Sequence, residues 1–368
     1  MYRFDNRIVV TLDAGGTNFV FGAMQANKFI IDPITLPSMS SNLDECLAQM
    51  VKGFELVIKS IDQAPVAISF AFPGPADYVN GIIGGYLPNF PSFRDGVALG
   101  AFLKRHFNIP VYINNDGDLF AYGEALAGKL PELNQKIKDI GGTRLSKSII
   151  GYTFGTGFGI GHVYDNRLHL GDNCCIETFC LPNKLSQDII CEDGVAIRAI
   201  KRVYAQESGS NELLEPKDIF DIAEGNREGD SSAAIKAFET LGEVAGNAMA
   251  TAVSLLDGIV VIGGGITAAK KYIMPALLRE MRSSIKTLSG DTVNRVQPTV
   301  YDLDDETELV KYAQGSPRKI KIYGTDEYIN YDEQKRVGVA ISALGAPKAI
   351  SLGAYNYALS QLDKEIIR

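Results

Sequence analysis

The chain has 368 residues, 46% hydrophobic and 22% charged, with a formal net charge of −8. That length exceeds one compact core, so two domains are expected with a candidate cleft where they meet; the acidic balance, with no basic cluster to offset it, argues against a nucleic-acid partner. No apolar run reaches the length of a membrane span, Met1–Asp5 leads straight into a strand without an export signal, and five cysteines, an odd number, fit reduced thiols, so a cytoplasmic protein with no membrane partner is expected.

Residues 7–12, 18–25 and 28–36 are rich in Val, Ile and Phe and are bounded by turn residues, which predicts a three-strand meander. Asn42 to Ile61 carries Leu43, Leu47, Met50, Val51, Phe54, Val57 and Ile58 at helical spacing, with Ser41 or Asn42 as the cap and Cys46 on its core face. Val66–Phe72 is nearly continuously apolar, as a strand buried on both faces should be, and Pro73-Gly74-Pro75 ends it. Asp95 to Phe107 predicts a helix, Pro110–Ile113 a strand and Asp116 to Leu126 a further helix, giving the order βββαβαβα by residue 128. Residues 129–148 are polar and basic and read as a linker or excursion.

The three-strand pattern resumes at Ile149–Phe154, Gly159–Tyr164 and Arg167–Leu170. Helical patterns follow at 194–206, 216–224 and 230–256, then the strand Ile259–Ile262, a helix near 268–285, short strands near 297–302 and 319–323, and a closing helix over 347–360. The second half repeats the first in the order of its elements, which points to two related α/β lobes.

Thr11-Leu12-Asp13-Ala14-Gly15-Gly16-Thr17-Asn18 joins the first two strands. Its glycines let the backbone approach an anion, Thr17 offers a hydroxyl and Asp13 offers a carboxylate for Mg²⁺, although a plain hairpin turn would read the same way. Gly155-Thr156-Gly157-Phe158-Gly159 occupies the equivalent place in the second half, and two such turns could close on a polyphosphate. Gly263-Gly264-Gly265 follows an apolar strand. It suits an adenosine-side contact better than a dinucleotide fingerprint, because no acidic residue closes a second strand about 20 residues later. Asn114-Asn115-Asp116 ends a strand and starts a helix, so one of the three should cap the helix while the others face the cleft. There an amide can hold a hydroxyl and a carboxylate can take its proton. His106, His162 and His169 read as structural or surface residues.

Asp13-x-Gly15-Gly16-Thr17, Phe72-Pro73-Gly74-Pro75-x-Asp77, Leu87-Pro88-Asn89, Asn115-Asp116 with Glu124, Gly155-Thr156-Gly157-x-Gly159 and Gly263-Gly264-Gly265 fall in one order across most of the chain. In this the sequence resembles the ROK family of sugar kinases and sugar-responsive regulators, within the hexokinase and actin-like superfamily. The resemblance implies an α/β fold of two actin-like (ribonuclease H-like) lobes around a central cleft. The smaller would hold 1–115 plus the C-terminal helix at about 347–368, the larger 116–346. It also implies ATP- and Mg²⁺-dependent phosphorylation of a hexose or N-acetylhexosamine at its primary hydroxyl, by a homodimer. Asp116 would be the base; Gly74, Asn89, Asn115 and Glu177 would hold the sugar. Gly15, Gly16, Thr17, Thr156 and Gly157 would cradle phosphates, Asp13 would assist Mg²⁺, and Gly263, Gly264 and Gly265 would meet the adenosine.

The sequence departs from the family between residues 171 and 191. The family's Glu-x-Gly-His pair and Cys-x-Cys-Gly-x-x-Gly-Cys zinc element are replaced by Cys174-Cys175-Ile176-Glu177-Thr178-Phe179-Cys180 and a distant Cys191. Glu177 stands for the family's glutamate, and no histidine follows it. Adjacent cysteines with wide gaps do not match zinc spacing, so Cys174, Cys175, Cys180 and Cys191 are read as buried thiols rather than a metal site. Residues 129–148 and the acidic stretch from Tyr301 to Glu306 read as additions, by default solvated loops. The family's regulators carry an added N-terminal helix-turn-helix. With the first strand starting near residue 7 the expectation is an enzyme, the alternative being a sugar-sensing or sugar-binding protein without a DNA-binding module.

Overall fold

A computed structural model describes residues 2–74 and 76–367. Met1, Pro75 of the Phe72–Pro75 motif and Arg368, the last residue expected in the C-terminal helix, lie outside the described residues. Internal packing divides the chain into two units: Met1–Gly128 with Gly161–Ile176 and Leu344–Arg368, and Lys129–Ile160 with Glu177–Ala343. Among the described residues no helix is long and apolar enough to cross a membrane.

In the first unit, β1 (Val9–Ala14), β2 (Asn18–Gln25), β3 (Lys28–Phe29) and β4 (Ile34–Pro37) form the meander. The run expected as one strand over 28–36 is two, because Asp32-Pro33 interrupts it and Pro33 cannot donate to the ladder. Helix α1 (Leu43–Lys59) starts at Asn42, whose side chain accepts from the Glu45 N–H. Strand β5 (Ala67–Ala71) is buried throughout. After a small hairpin, β6 (Ala76–Asp77) and β7 (Ile82–Ile83), helix α2 (Leu99–Phe107) begins four residues later than the pattern from Asp95 suggests. Strand β8 (Val111–Asn114) and helix α3 (Asp116–Leu126) complete the unit with the C-terminal helix Ala346–Ile367.

The sheet order is β3-β2-β1-β5-β8, with β4 also on β2. Strands β1, β5 and β8 run parallel and place Asp13 beside Ala71 and Ala71 beside Asn114. The Asp13 turn, the Phe72–Gly74 loop and the Asn115–Asp116 junction therefore all leave the sheet at its carboxyl edge, where α/β sheets bind ligands. Phe19, Phe21, Phe54, Phe70, Phe72, Phe90 and Phe93 fill one core beneath that edge.

In the second unit, residues 129–148 are not a linker. Helix α4 (Lys129–Asp139) buries Leu130, Leu133 and Ile137 on one face, an amphipathic stripe that the surrounding lysines mask in composition. The sheet runs β11-β10-β9-β14-β20-β17, built from β9 (Ser148–Phe154), β10 (Phe158–Tyr164), β11 (Arg167–Leu168), β14 (Ile259–Gly263), β17 (Thr299–Asp302) and β20 (Arg336–Ile341), and the boundary between the units falls within β10. Strand β20 is not predicted by the sequence: Val337-Gly338-Val339-Ala340-Ile341 is a short run of small apolar residues broken by a glycine, yet it is buried between two parallel neighbours.

Two-stranded hairpins, β12–β13 (Pro182–Asn183, Ser186–Ile190), β15–β16 (Ser284–Lys286, Thr292–Asn294) and β18–β19 (Pro317–Lys321, Tyr328–Asp332), punctuate the helices. Helices α5 (Ile197–Ser208), α6 (Pro216–Ala223), α7 (Ser231–Leu256) and α8 (Lys270–Met281) pack into the largest core.

The acidic stretch is structural rather than a solvated loop. Tyr301 and Leu303 are buried, Asp304 pairs with the buried Lys129 at 2.8 Å and accepts the Ile341 N–H at 2.8 Å, and Asp305 caps α9 (Glu306–Gln314). A buried ammonium needs such a partner, and the pair ties α4 to the end of β20.

Candidate active site

The first unit gathers the carboxyl-edge loops into one surface. Gly16 lies directly on Asn89: a Cβ added there would sit 2.9 Å from the Asn89 Cβ and 3.3 Å from its carbonyl. The turn is fastened from outside by hydroxyls, since Ser38 Oγ and Ser40 Oγ (2.9 Å) both donate to the Gly16 carbonyl and the Ser38 N–H donates to the Thr17 carbonyl at 2.9 Å. Met39 between the serines adopts φ +51°, a left-handed conformation uncommon for a side chain of this size. Ser92 extends the chain by donating to the Ser40 carbonyl at 2.8 Å. Asp13 and Thr17 are exposed at the mouth of the turn. Although exposed, Asp13 is flanked by enough protein that desolvation pushes its carboxyl above the ordinary carboxylate range. A cation at that carboxylate would offset the penalty, so the donor fits a hard metal ion.

Asn115 is the cap of α3: its Oδ1 accepts the Gly117 N–H at 2.8 Å, and the same N–H reaches Asp116 Oδ1 at 2.9 Å. Asp116 is exposed and is the first helical residue, at the positive end of the helix dipole. Asn115 Nδ2 donates to the Tyr78 hydroxyl at 3.4 Å, and that hydroxyl donates to the Phe72 carbonyl at 2.9 Å. A Cβ on Gly74 would meet the Tyr78 hydroxyl at 2.7 Å. Tyr78 thus links Gly74 to Asn115 from a buried position that nothing in its sequence neighbourhood advertises. Asn114, expected to be free to face a cleft if it is not the cap, is instead 1% exposed, with its Nδ2 buried and without a hydrogen-bond partner among the described residues.

His162 is buried with its Nδ1 3.4 Å from that of His169, and desolvation followed by the His169 charge lowers its pKa; His106 is exposed beside Glu55.

The second unit gathers the remaining predicted residues. Thr153 lies beside Gly263 in the register of β9 and β14, so Gly155–Gly157 and Gly263–Gly265 leave the sheet together. Gly264 has φ +100° and packs on the Phe154 carbonyl, where a Cβ has no room; Gly265 faces open space. The Thr267 hydroxyl donates to the Gly264 carbonyl at 2.7 Å. Glu177 opens this unit's second segment, half-buried beside Thr178, whose Oγ1 faces the buried Tyr152 hydroxyl; Glu177 adds to the field acting on that phenol.

The cysteines correct one expectation. Cys191 and Cys46 are buried, with desolvation pushing each thiol up to about 12, but Cys175 and Cys180 are exposed and Cys174 is intermediate. A thiol held protonated is a poor ligand, and among the described residues no three His, Cys, Asp or Glu side chains group as a metal site. The residues present do not fit the zinc element of the family pattern.

The ROK family profile matches residues 9–302. The chain is 25% identical over 280 residues to a glucokinase of Thermotoga maritima, covering 73% of this chain and 85% of that one. It is 24% identical over 287 residues to an N-acetyl-D-glucosamine kinase of Vibrio parahaemolyticus, covering 69% and 83%. A crystal structure of a glucokinase from Parabacteroides distasonis is 52% identical, with a TM-score of 0.89 over 98% of this chain and 99% of that one. The expected family and its two-lobed, actin-like α/β fold are borne out. The chain belongs to the ROK family and is a sugar kinase.

Proposed function

We propose that the enzyme transfers the γ-phosphoryl group of ATP to the primary hydroxyl of glucose. The observation that carries this reading is the register of β1, β5 and β8, which brings Asp13, the Gly74 loop and Asn115–Asp116 to one sheet edge. Glucose is favoured over other hexoses because a relative 52% identical over nearly the whole chain is a glucokinase. Asn89 and Asn115 offer amides to sugar hydroxyls, with Gly74 leaving room beside them and Glu177 as a further contact. Asp116 takes the hydroxyl proton as the oxygen attacks phosphorus. Gly15, Gly16 and Thr17 hold the transferring end of the nucleotide, Thr156 and Gly157 hold the other phosphates, and Gly263, Gly264 and Gly265 meet the adenosine. A bound Mg²⁺ would supply positive charge to offset the charge that develops on the phosphate oxygens. Asp13 is the residue that would hold it, directly or through water. Phosphoryl transfer asks little covalent chemistry of a protein, so positioning by these loops suffices.

The test is ADP release with ATP and Mg²⁺ across glucose, mannose, fructose, N-acetylglucosamine and N-acetylmannosamine. The highest kcat/KM is expected for glucose. Preference for an N-acetylated sugar would move the assignment within the family, and tight sugar binding without turnover would overturn it in favour of a sugar-binding protein.

A further inference from the structure

We propose that Glu192 and Arg198 are positioning residues that aim the backbone N–H groups of Thr156 and Gly157 at the phosphate donor; this rests on the reading of that turn as a phosphate site. The turn is too short to hold its own shape. Its carbonyls are taken up by the segment that follows Cys191: the Ile197 N–H donates to the Gly155 carbonyl at 2.9 Å, and Arg198 Nη1 donates to the Thr156 carbonyl at 3.2 Å. The Gly157 carbonyl accepts from the Gly155 N–H at 3.1 Å. In a trans peptide the carbonyl and the following N–H point in opposite directions. Pinning the carbonyls of Gly155 and Thr156 back toward residues 197 and 198 therefore turns the N–H groups of Thr156 and Gly157 away from that segment. Two convergent N–H groups are what an anion requires.

Glu192 completes the brace. Its Oε2 accepts the Phe158 N–H at 3.0 Å and lies 3.1 Å from where a Cβ on Gly157 would stand, while its Oε1 accepts from Arg198 Nη2 at 2.8 Å. Arg198 Nε donates to Asp193 at 2.6 Å, so the guanidinium is held by two carboxylates and a carbonyl, a planar fork that lysine cannot copy. A bare carboxylate behind a phosphate turn would repel the ligand. Its pairing with Arg198, which Asp193 shares, reduces that field and keeps the geometry.

The experiment is the steady-state KM for ATP and for sugar in Glu192→Ala, Arg198→Met and Arg198→Lys, beside Thr156→Ala and Gly157→Ala, with melting temperatures measured on every variant. The proposal expects Glu192→Ala and Arg198→Met to raise the ATP KM about tenfold or more, the scale of a modest misplacement, with the sugar KM unchanged and Arg198→Lys intermediate. The double variant should be no worse than the single ones, because both remove the same restraint. An unchanged ATP KM in Glu192→Ala and Arg198→Met, while Thr156→Ala or Gly157→Ala raises it, overturns the brace and leaves the phosphate site standing. An unchanged ATP KM in all of them overturns the phosphate site and the brace together. If Glu192→Ala fails to fold, Arg198→Lys alone decides: equal loss of both substrates' affinities contradicts a role in aiming one turn.

Discussion

The two glycine turns both leave the carboxyl end of a sheet strand, and they are supported by opposite means. The Gly15–Thr17 turn is held by neutral groups: two serine hydroxyls on one carbonyl and the close packing of Gly16 on Asn89. The Gly155–Gly157 turn is held by an ion-paired network of Glu192, Asp193 and Arg198. The difference follows from what each turn itself carries. The first already contains a desolvated carboxylate, Asp13, and fixed charges behind it would compete with whatever cation that carboxylate attracts. The second has no charged side chain of its own, so a guanidinium held between two carboxylates can brace it.

The substitution expected to break this comparison most severely is Gly264→Ala. The left-handed backbone and the Phe154 carbonyl both oppose a side chain there. Strain and overpacking together should remove about 3 kcal/mol or more from the second unit. Denaturant unfolding would register the loss, and relaxation at Phe154 should also spread to the adjoining Gly155–Gly157 turn, proposed above to hold phosphates, as weaker ATP binding. A stable variant with normal ATP affinity would show that the second turn does not depend on this neighbour.

A smaller effect of opposite sign is expected at the first turn. The folded state raises the Asp13 carboxyl, so it favours the protonated form. The stability that form contributes is present below the unfolded carboxylate value and is lost as pH rises through the raised folded value. At neutral pH the ionised group therefore weakens the fold. Asp13→Asn, which is always neutral, should melt higher than the unmodified protein at pH 7 in metal-free buffer. The gap should close in acid, while kinase activity is lost. A lower melting temperature at pH 7 would mean that Asp13 is stabilised by partners rather than poised for a cation.

Much of this was legible in the residues because it is local. Asn42 caps α1 and Asn115 caps α3 through side chains two or three positions from the N–H groups they satisfy. The glycine motifs carry their meaning in adjacent residues, and β5 advertises its burial by continuous apolar character. What stayed hidden depends on distance along the chain. Glu192 reaches Phe158 across 34 positions and Ser38 reaches Gly16 across 22, with no periodicity to announce either contact. Helix α4 was obscured because a narrow stripe of Leu130, Leu133 and Ile137 is outvoted by lysines in composition. The cysteines misled because proximity in sequence says nothing of exposure: Cys175 and Cys180 are exposed, yet Cys191 is buried.

The central claim, that the carboxyl edge of the first unit is where the sugar hydroxyl loses its proton, is tested most directly by Asp116→Asn, comparing single-turnover phosphorylation of glucose with equilibrium glucose binding. The amide keeps the size of the side chain and cannot accept the proton. A fall of about 100-fold or more in the chemical step with glucose affinity unchanged is predicted. Phosphorylation at the unmodified rate would contradict it.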